Sequence, residues 1–102
     1  MRVSVVKKKP TEKFAVGFKY STVDLAADAT ISNVSVAITD AEGEAVTDPN
    51  DLAIVGSPAK DDYTVSAMLE KGIDGSEYYV VFTTTTSAGQ VFVDKIFVKV
   101  RV

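Results

Sequence analysis

The side chains that could do chemistry in this chain are almost all oxygens. There is no histidine and no cysteine, which removes the commonest general base, the commonest zinc ligand and the thiolate nucleophile. Serines and threonines are plentiful. They fall in strand-like and turn-like stretches with no base nearby in sequence, and neither a GxSxG elbow nor a glycine-rich phosphate loop occurs. Paired carboxylates can do acid–base work, but the acids here fall mostly in turns, where Asp and Glu serve the backbone. Asp40, Glu42, Glu44, Asp48, Asp51, Asp61 and Asp62 all lie near loops and offer the oxygen ligands calcium takes. A DxDxDG loop is missing, so they are read as solvated turn acids. Sugar binding would call for an exposed aromatic platform, and the chain has no tryptophan. The expectation is a protein that is not an enzyme, with no catalytic residue, no metal and no cofactor.

Composition narrows the partners. The formal net charge is −3, with acidic and basic residues scattered along the chain. Nucleic acid binding needs a concentrated basic face, and the one basic cluster, Lys7-Lys8-Lys9, reads as a solvated strand end. No apolar run approaches a membrane span. Met1-Arg2-Val3 lacks the apolar stretch of a secretory signal. Proteins are therefore the expected partners, with neither nucleic acid nor membrane involved. At 102 residues and 46% hydrophobic, residues 1–102 are expected to form one domain with one core.

The elements that must position these groups are strands. Apolar residues recur with period two. Phe14, Val16, Phe18 and Tyr20 form one set, Val34, Val36 and Ile38 another. Tyr63, Val65, Ala67 and Leu69 follow, then Tyr78, Val80 and Phe82. The last strand runs from about Gln90 to Val102, and shorter strands are expected at Val3–Val6, Glu44–Val46 and Leu52–Val55. Turn signals separate them at Asp40–Gly43, Asp48–Asp51, Gly56-Ser57-Pro58, Gly72–Gly75 and Ser87-Ala88-Gly89. Thr22–Thr30 reads as a loop with room for one helical turn. This spacing predicts an all-β, immunoglobulin-like β-sandwich of about seven to eight antiparallel strands.

The last hairpin can be read residue by residue. Ser87-Ala88-Gly89 fits a three-residue loop with Gly89 left-handed, which sets Thr86 opposite Gln90. Val80 then faces Ile96 and Tyr78 faces Val98 on the core side. Asp94 falls opposite Phe82 on that same side, at an open end of the sandwich unless a bulge shifts the register. Tyr79 pairs with Phe97 on the other side, with Val81 and Val93 close by. Such an outer face is more apolar than exposure requires. Either the N-terminal segment folds over it, or Tyr79, Val81, Val93 and Phe97 form a partner surface. The long C-terminal strand ends on Lys99-Val100-Arg101-Val102. As a sheet edge it would offer backbone to another chain, unless Lys99 and Arg101 blunt it. Asp74–Val80 resembles the corner that opens strand F of immunoglobulin domains, with the Tyr78 ring in the core and its hydroxyl on nearby backbone.

Taken in order, the motifs resemble the small Ig-like structural proteins of tailed bacteriophages and prophages. The resemblance rests on Pro10-Thr11-Glu12, Gly17-Phe18-Lys19-Tyr20-Ser21, Leu25 and the isoleucine-led Ile31-Ser32-Asn33-Val34. Gly72, Gly75 and Tyr78 add a G-x-x-G-x-x-Y spacing, and Thr86-Ser87-Ala88-Gly89 a matching turn. It covers nearly the whole chain. Tyr20 stands where the family often has tryptophan, and Lys7-Lys8-Lys9 is more basic than usual. The resemblance implies a non-catalytic virion structural or adaptor module of the fibre–tail type. Its partners would be other virion proteins or copies of itself in a homo-oligomer, with assembly in the host cytoplasm and then residence in the virion. The alternative is a bacterial Ig-like adhesion or carbohydrate-binding module of a secreted protein.

Overall fold

Alternating apolar residues build seven strands in the computed structural model, which describes residues 2–21 and 23–102. They are β1 (Val3–Lys8), β2 (Phe14–Lys19), β3 (Ile31–Asp40), β4 (Ala53–Lys60), β5 (Thr64–Glu70), β6 (Glu77–Thr86) and β7 (Val91–Val100). A four-stranded sheet in the order β1-β7-β6-β3 faces a three-stranded sheet in the order β2-β5-β4. Among the described residues there is no helix, and so none long and apolar enough to cross a membrane.

The inward faces meet in one core. Phe18, Val65, Ala67 and Leu69 come from the smaller sheet, and Val80, Phe82, Ile96 and Val98 from the larger. Phe18 and Phe82 cross edge to face between the sheets at 5.4 Å between ring centroids. Burying a side chain of this size stabilises by about 1.5–3 kcal/mol, and the period-two pattern brings one in at every second residue.

The β6–β7 register is the one the turn chemistry predicts. Tyr79 pairs with Phe97, Val80 with Ile96, Phe82 with Asp94 and Thr83 with Val93. Gly89 has φ 84°, and the Thr86 N–H donates to the Gln90 carbonyl at 2.9 Å. No bulge interrupts the pairing at Asp94.

Four expectations need correction. The strands are not all antiparallel, because β1 pairs with β7 in parallel, from Val3 beside Lys95 to Lys8 beside Val100. That pairing also means that β7 is no edge. It lies between β1 and β6, so its backbone is already used. Gly56-Ser57-Pro58 is no turn but an irregularity inside β4, where the register with β5 shifts between Val55 and Ala59. Gly56 takes φ 71°, and proline is tolerated at such an interruption because no ladder N–H is required of it. The short strand at Glu44–Val46 reduces to a single bridge between Thr39 and Ala45. In the Thr22–Thr30 segment, Thr22 lies outside the described residues. The rest is a loop with single turns closed by the Asp24 N–H on the Ser21 carbonyl (3.1 Å) and the Ala29 N–H on the Ala26 carbonyl (2.9 Å).

Candidate partner surface

The pleat of the four-stranded sheet turns every second residue of β6 and β7 away from the core. Tyr79, Val81, Val93 and Phe97 all emerge on that outer face. The Tyr79 and Phe97 rings lie against each other, 4.9 Å apart at the centroids and tilted by 47°. Each of these two rings, like Val81, is half-buried, while Val93 is exposed.

The described part of the N-terminal segment does not lie over this patch. β1 joins at its side and lengthens it. Val5 stands beside Phe97, and Val3 stands beside Lys95, which is itself beside Val81. Both valines are open to solvent, at 55% for Val3 and 63% for Val5. One row therefore runs Val5, Phe97, Tyr79, Thr39 across the sheet, and the next runs Val3, Lys95, Val81, Ala37. The Val3–Val5 alternation was visible in sequence. Its place was not, because parallel pairing across the length of the chain has no local signal.

Three lysines frame the patch. The Lys95 ammonium lies 5.3 Å from the Tyr79 ring centroid and that of Lys99 lies 6.0 Å from the Phe97 centroid, so both are drawn to the negative ring faces. Lys7 sits beside Lys99 on β1. Glu77, opposite Lys99, instead pairs with Arg101 at 3.5 Å. The described residues thus leave these three ammonium groups without a carboxylate partner.

A second cluster explains Asp94. Its carboxylate is buried and accepts the Tyr20 hydroxyl at 2.5 Å and the Arg2 main-chain N–H at 2.8 Å. The Thr84 hydroxyl sits 3.2 Å from the Tyr20 oxygen. The Arg2 guanidinium lies 3.7 Å from Asp94, caps the Phe18 and Tyr20 rings at 4.8 and 4.7 Å, and donates to the Lys19 carbonyl at 3.1 Å. Burial and the carboxylate together push the Tyr20 hydroxyl above its ordinary pKa. Arg2, Tyr20 and Asp94, with Asp24 and Phe92, line a cleft of about 170 Å³. Arg2, Tyr20 and Asp94 are engaged in holding the start of β1 onto the sandwich, while Asp24 accepts from the Ser21 N–H and hydroxyl in its own loop, so the arrangement is a structural clip. At the far end of β1, Lys8 is buried with its ammonium on the carbonyls of Lys9 (2.9 Å) and Lys71 (2.5 Å).

The loop acids serve turns. Asp40 Oδ1 accepts the N–H groups of Glu42 and Glu44 (both 2.9 Å), and Asp61 Oδ1 those of Tyr63 and Thr64 (2.9 and 2.7 Å). The Thr64 side chain, together with the N–H groups of Tyr63 and Thr64, holds the Asp61 carboxyl below the usual carboxylate range. Tyr78 is buried, accepts the Ile73 N–H at 3.2 Å and donates to Asp51 at 2.8 Å.

Comparison with known families gives a match over residues 8–99 to the model described as "Podophage GP4 fiber-tail adaptor protein gp77". The chain belongs to this family. The match to the fibre–tail adaptor family runs from the last residue of β1 to Lys99 in β7, so β2 to β6 and nearly all of β7, with both strands of the aromatic hairpin, fall inside it, while β1 up to Lys7 lies before it. No curated protein matches the chain.

Proposed function

We propose that the chain is a non-catalytic virion adaptor with an immunoglobulin-like sandwich, acting through protein–protein contacts on the outer face of β1, β7 and β6. The observation that carries this is the outer face on which Val3, Val5, Tyr79, Val81, Val93 and Phe97 gather around Lys95, on a chain of the fibre–tail adaptor family. Apolar patches of this kind are the usual footprint of a partner. Its partners are other virion proteins or copies of itself, met during assembly in the host cytoplasm and kept in the virion. The strand order and the Tyr78 hydroxyl bonded to backbone five residues upstream support the immunoglobulin-like assignment. The rings of Tyr79 and Phe97 are tilted by 47°, which is unlike the flat platform on which a sugar stacks, so the adaptor reading is preferred to a carbohydrate-binding module.

The test is the double substitution Tyr79→Ser/Phe97→Ser. A cross-strand aromatic pair contributes about 0.2–1 kcal/mol, so Tm should fall by only a few degrees. Incorporation into particles, measured by quantifying the protein in purified virions, should fall about tenfold or more, as expected for anchor residues. A double mutant that fails to fold would make the patch core, and normal incorporation would remove it as a contact surface.

A further inference from the structure

The outer face and the Asp94 clip leave a buried charge at the far end of β1 unexplained. The strand alternates, so Val6 and Lys8 turn inward while Val5 and Lys7 stay exposed. Lys8 is only 1% exposed. Its ammonium donates to the carbonyls of Lys9 and Lys71. Lys71 itself holds φ 63°, a left-handed backbone that a residue other than glycine adopts at a cost. An ammonium has three donors, and these two carbonyls use two of them. A buried charge ordinarily has a counter-charge. Lys8 has none within ion-pair distance, since the ion pairs among the described residues are Arg2 with Asp94 and Arg101 with Glu77. Burial therefore lowers the Lys8 pKa, against the weaker pull of Glu12 and Glu70.

Lys8 lines a cleft of about 340 Å³ with Lys7, Lys9, Glu12, Arg101 and Val102. Four of these side chains are cationic and one, Glu12, is a carboxylate. Glu12 is already engaged, because its Oε1 accepts the Lys9 N–H at 2.7 Å. The fold fixes two of the cations. The carbonyls of Lys9 and Lys71 hold Lys8, and those of Ser76 and Val100 hold the Arg101 guanidinium at 3.3 and 2.7 Å. Lys7 and Lys9 are exposed and have no carboxylate partner among the described residues. A concave site lined by one sign of charge concentrates its field on an ion of the other sign.

We propose that this cleft is an anion site that takes an acidic segment of a partner protein, with one carboxylate on the Lys8 ammonium and neighbouring acids on Lys7 and Lys9. The carboxylate supplies the counter-charge that Lys8 lacks and the acceptor for its third N–H. Charge-assisted hydrogen bonds of this kind are about twice as strong as neutral ones. The buried cation gives the site its specificity, because salt screens it far less than the two lysines at the rim. Lys7 is shared with the margin of the outer face, where it stands beside Lys99, so the cleft adjoins that face. The site does not depend on the aromatic pair, which lies elsewhere on β6 and β7.

The experiment titrates the full chain with a tetraglutamate peptide, its ends blocked, at about 0.15 M salt. NMR follows the Lys8 side-chain Nζ and the amides of Lys9, Lys71 and Arg101. These signals should shift and saturate together, and a tetraglutamine peptide should leave them in place. Lys8→Met keeps the buried stem and removes the charge, and should weaken binding about tenfold or more. Lys19→Gln, at the other end of β2, should bind as wild type does. If Lys8→Met does not fold, the wild-type Nζ shift still decides the matter. An unmoved Lys8 signal would overturn the proposal, as would equal weakening by Lys19→Gln, which would reduce the effect to general charge attraction. Inorganic phosphate that saturates the site where the peptide does not would make it a free-ion site and overturn the partner. Because the titration needs no particles, it fails or succeeds apart from the adaptor reading. If the peptide does not bind while Tyr79→Ser/Phe97→Ser lowers incorporation, the outer face stands and the cleft falls.

Discussion

Replacing Asp94 with alanine removes the acceptor for the Tyr20 hydroxyl and for the Arg2 main-chain N–H in one step. Buried groups left without partners cost about 1–3 kcal/mol, so Asp94→Ala should lose that amount in urea denaturation, with β1 loosened first. Alkaline pH probes the same residue set. The Tyr20 and Tyr78 hydroxyls are raised above 10.0, chiefly by burial. The unfolded chain releases these protons first, so the stability they contribute is complete below pH 10.0 and is lost as pH climbs through the folded values. Lys8 works in the other direction. Burial lowers it from 10.5, so the unfolded chain binds the proton more tightly and stability gains a little as pH rises toward 10.5. The tyrosine contribution predicts urea midpoints that drop as pH climbs above about 10. Tyr20→Phe, weaker at pH 9, should show a shallower drop, and an equally steep one would mean that other groups set the decline.

Among the elements, β2 is fixed by its glycine. Gly17 lies opposite Ser66 of β5, and a Cβ there would collide with the Val65 carbonyl oxygen. Gly17→Ala must push the two strands apart and should cost about 1–3 kcal/mol by thermal melting, as overpacking does. An unchanged Tm would show that the pair separates freely. What could be read from sequence follows the same local logic. The β6–β7 register was legible pair by pair because a three-residue turn with a left-handed glycine leaves no other pairing, and with it came all four residues of the candidate surface. Gly56-Ser57-Pro58 was misread because bulges and turns recruit the same residue types. The awkward position of Asp94 was visible. Its partners were not, since Arg2 and Tyr20 reach it from 92 and 74 residues away in the chain. Val3 and Val5 were missed from the surface for the same reason.

For the molecule as a whole, the two ends of the chain carry one flank. β1 and β7 supply the exposed valines, the lysines and one of the two aromatic rings of the outer face. β1 in turn is held by Arg2 on Asp94 at one end and by Lys8 at the other, where the Arg101 N–H also donates to the Lys8 carbonyl at 2.9 Å. The sandwich core lies mainly between β2, β5, β6 and β7, so β1 adds chiefly surface. The parallel pairing has a consequence for how the protein is made. β1 is synthesised first, yet the strand it pairs with is the last of the seven, and closing so long a loop carries the largest entropy of any contact in the molecule. Non-local pairings of this kind form late and slowly. On the ribosome the first strand must wait, unpaired, until β7 emerges. The apolar face is then completed by the final folding event, so a nascent chain cannot display it early.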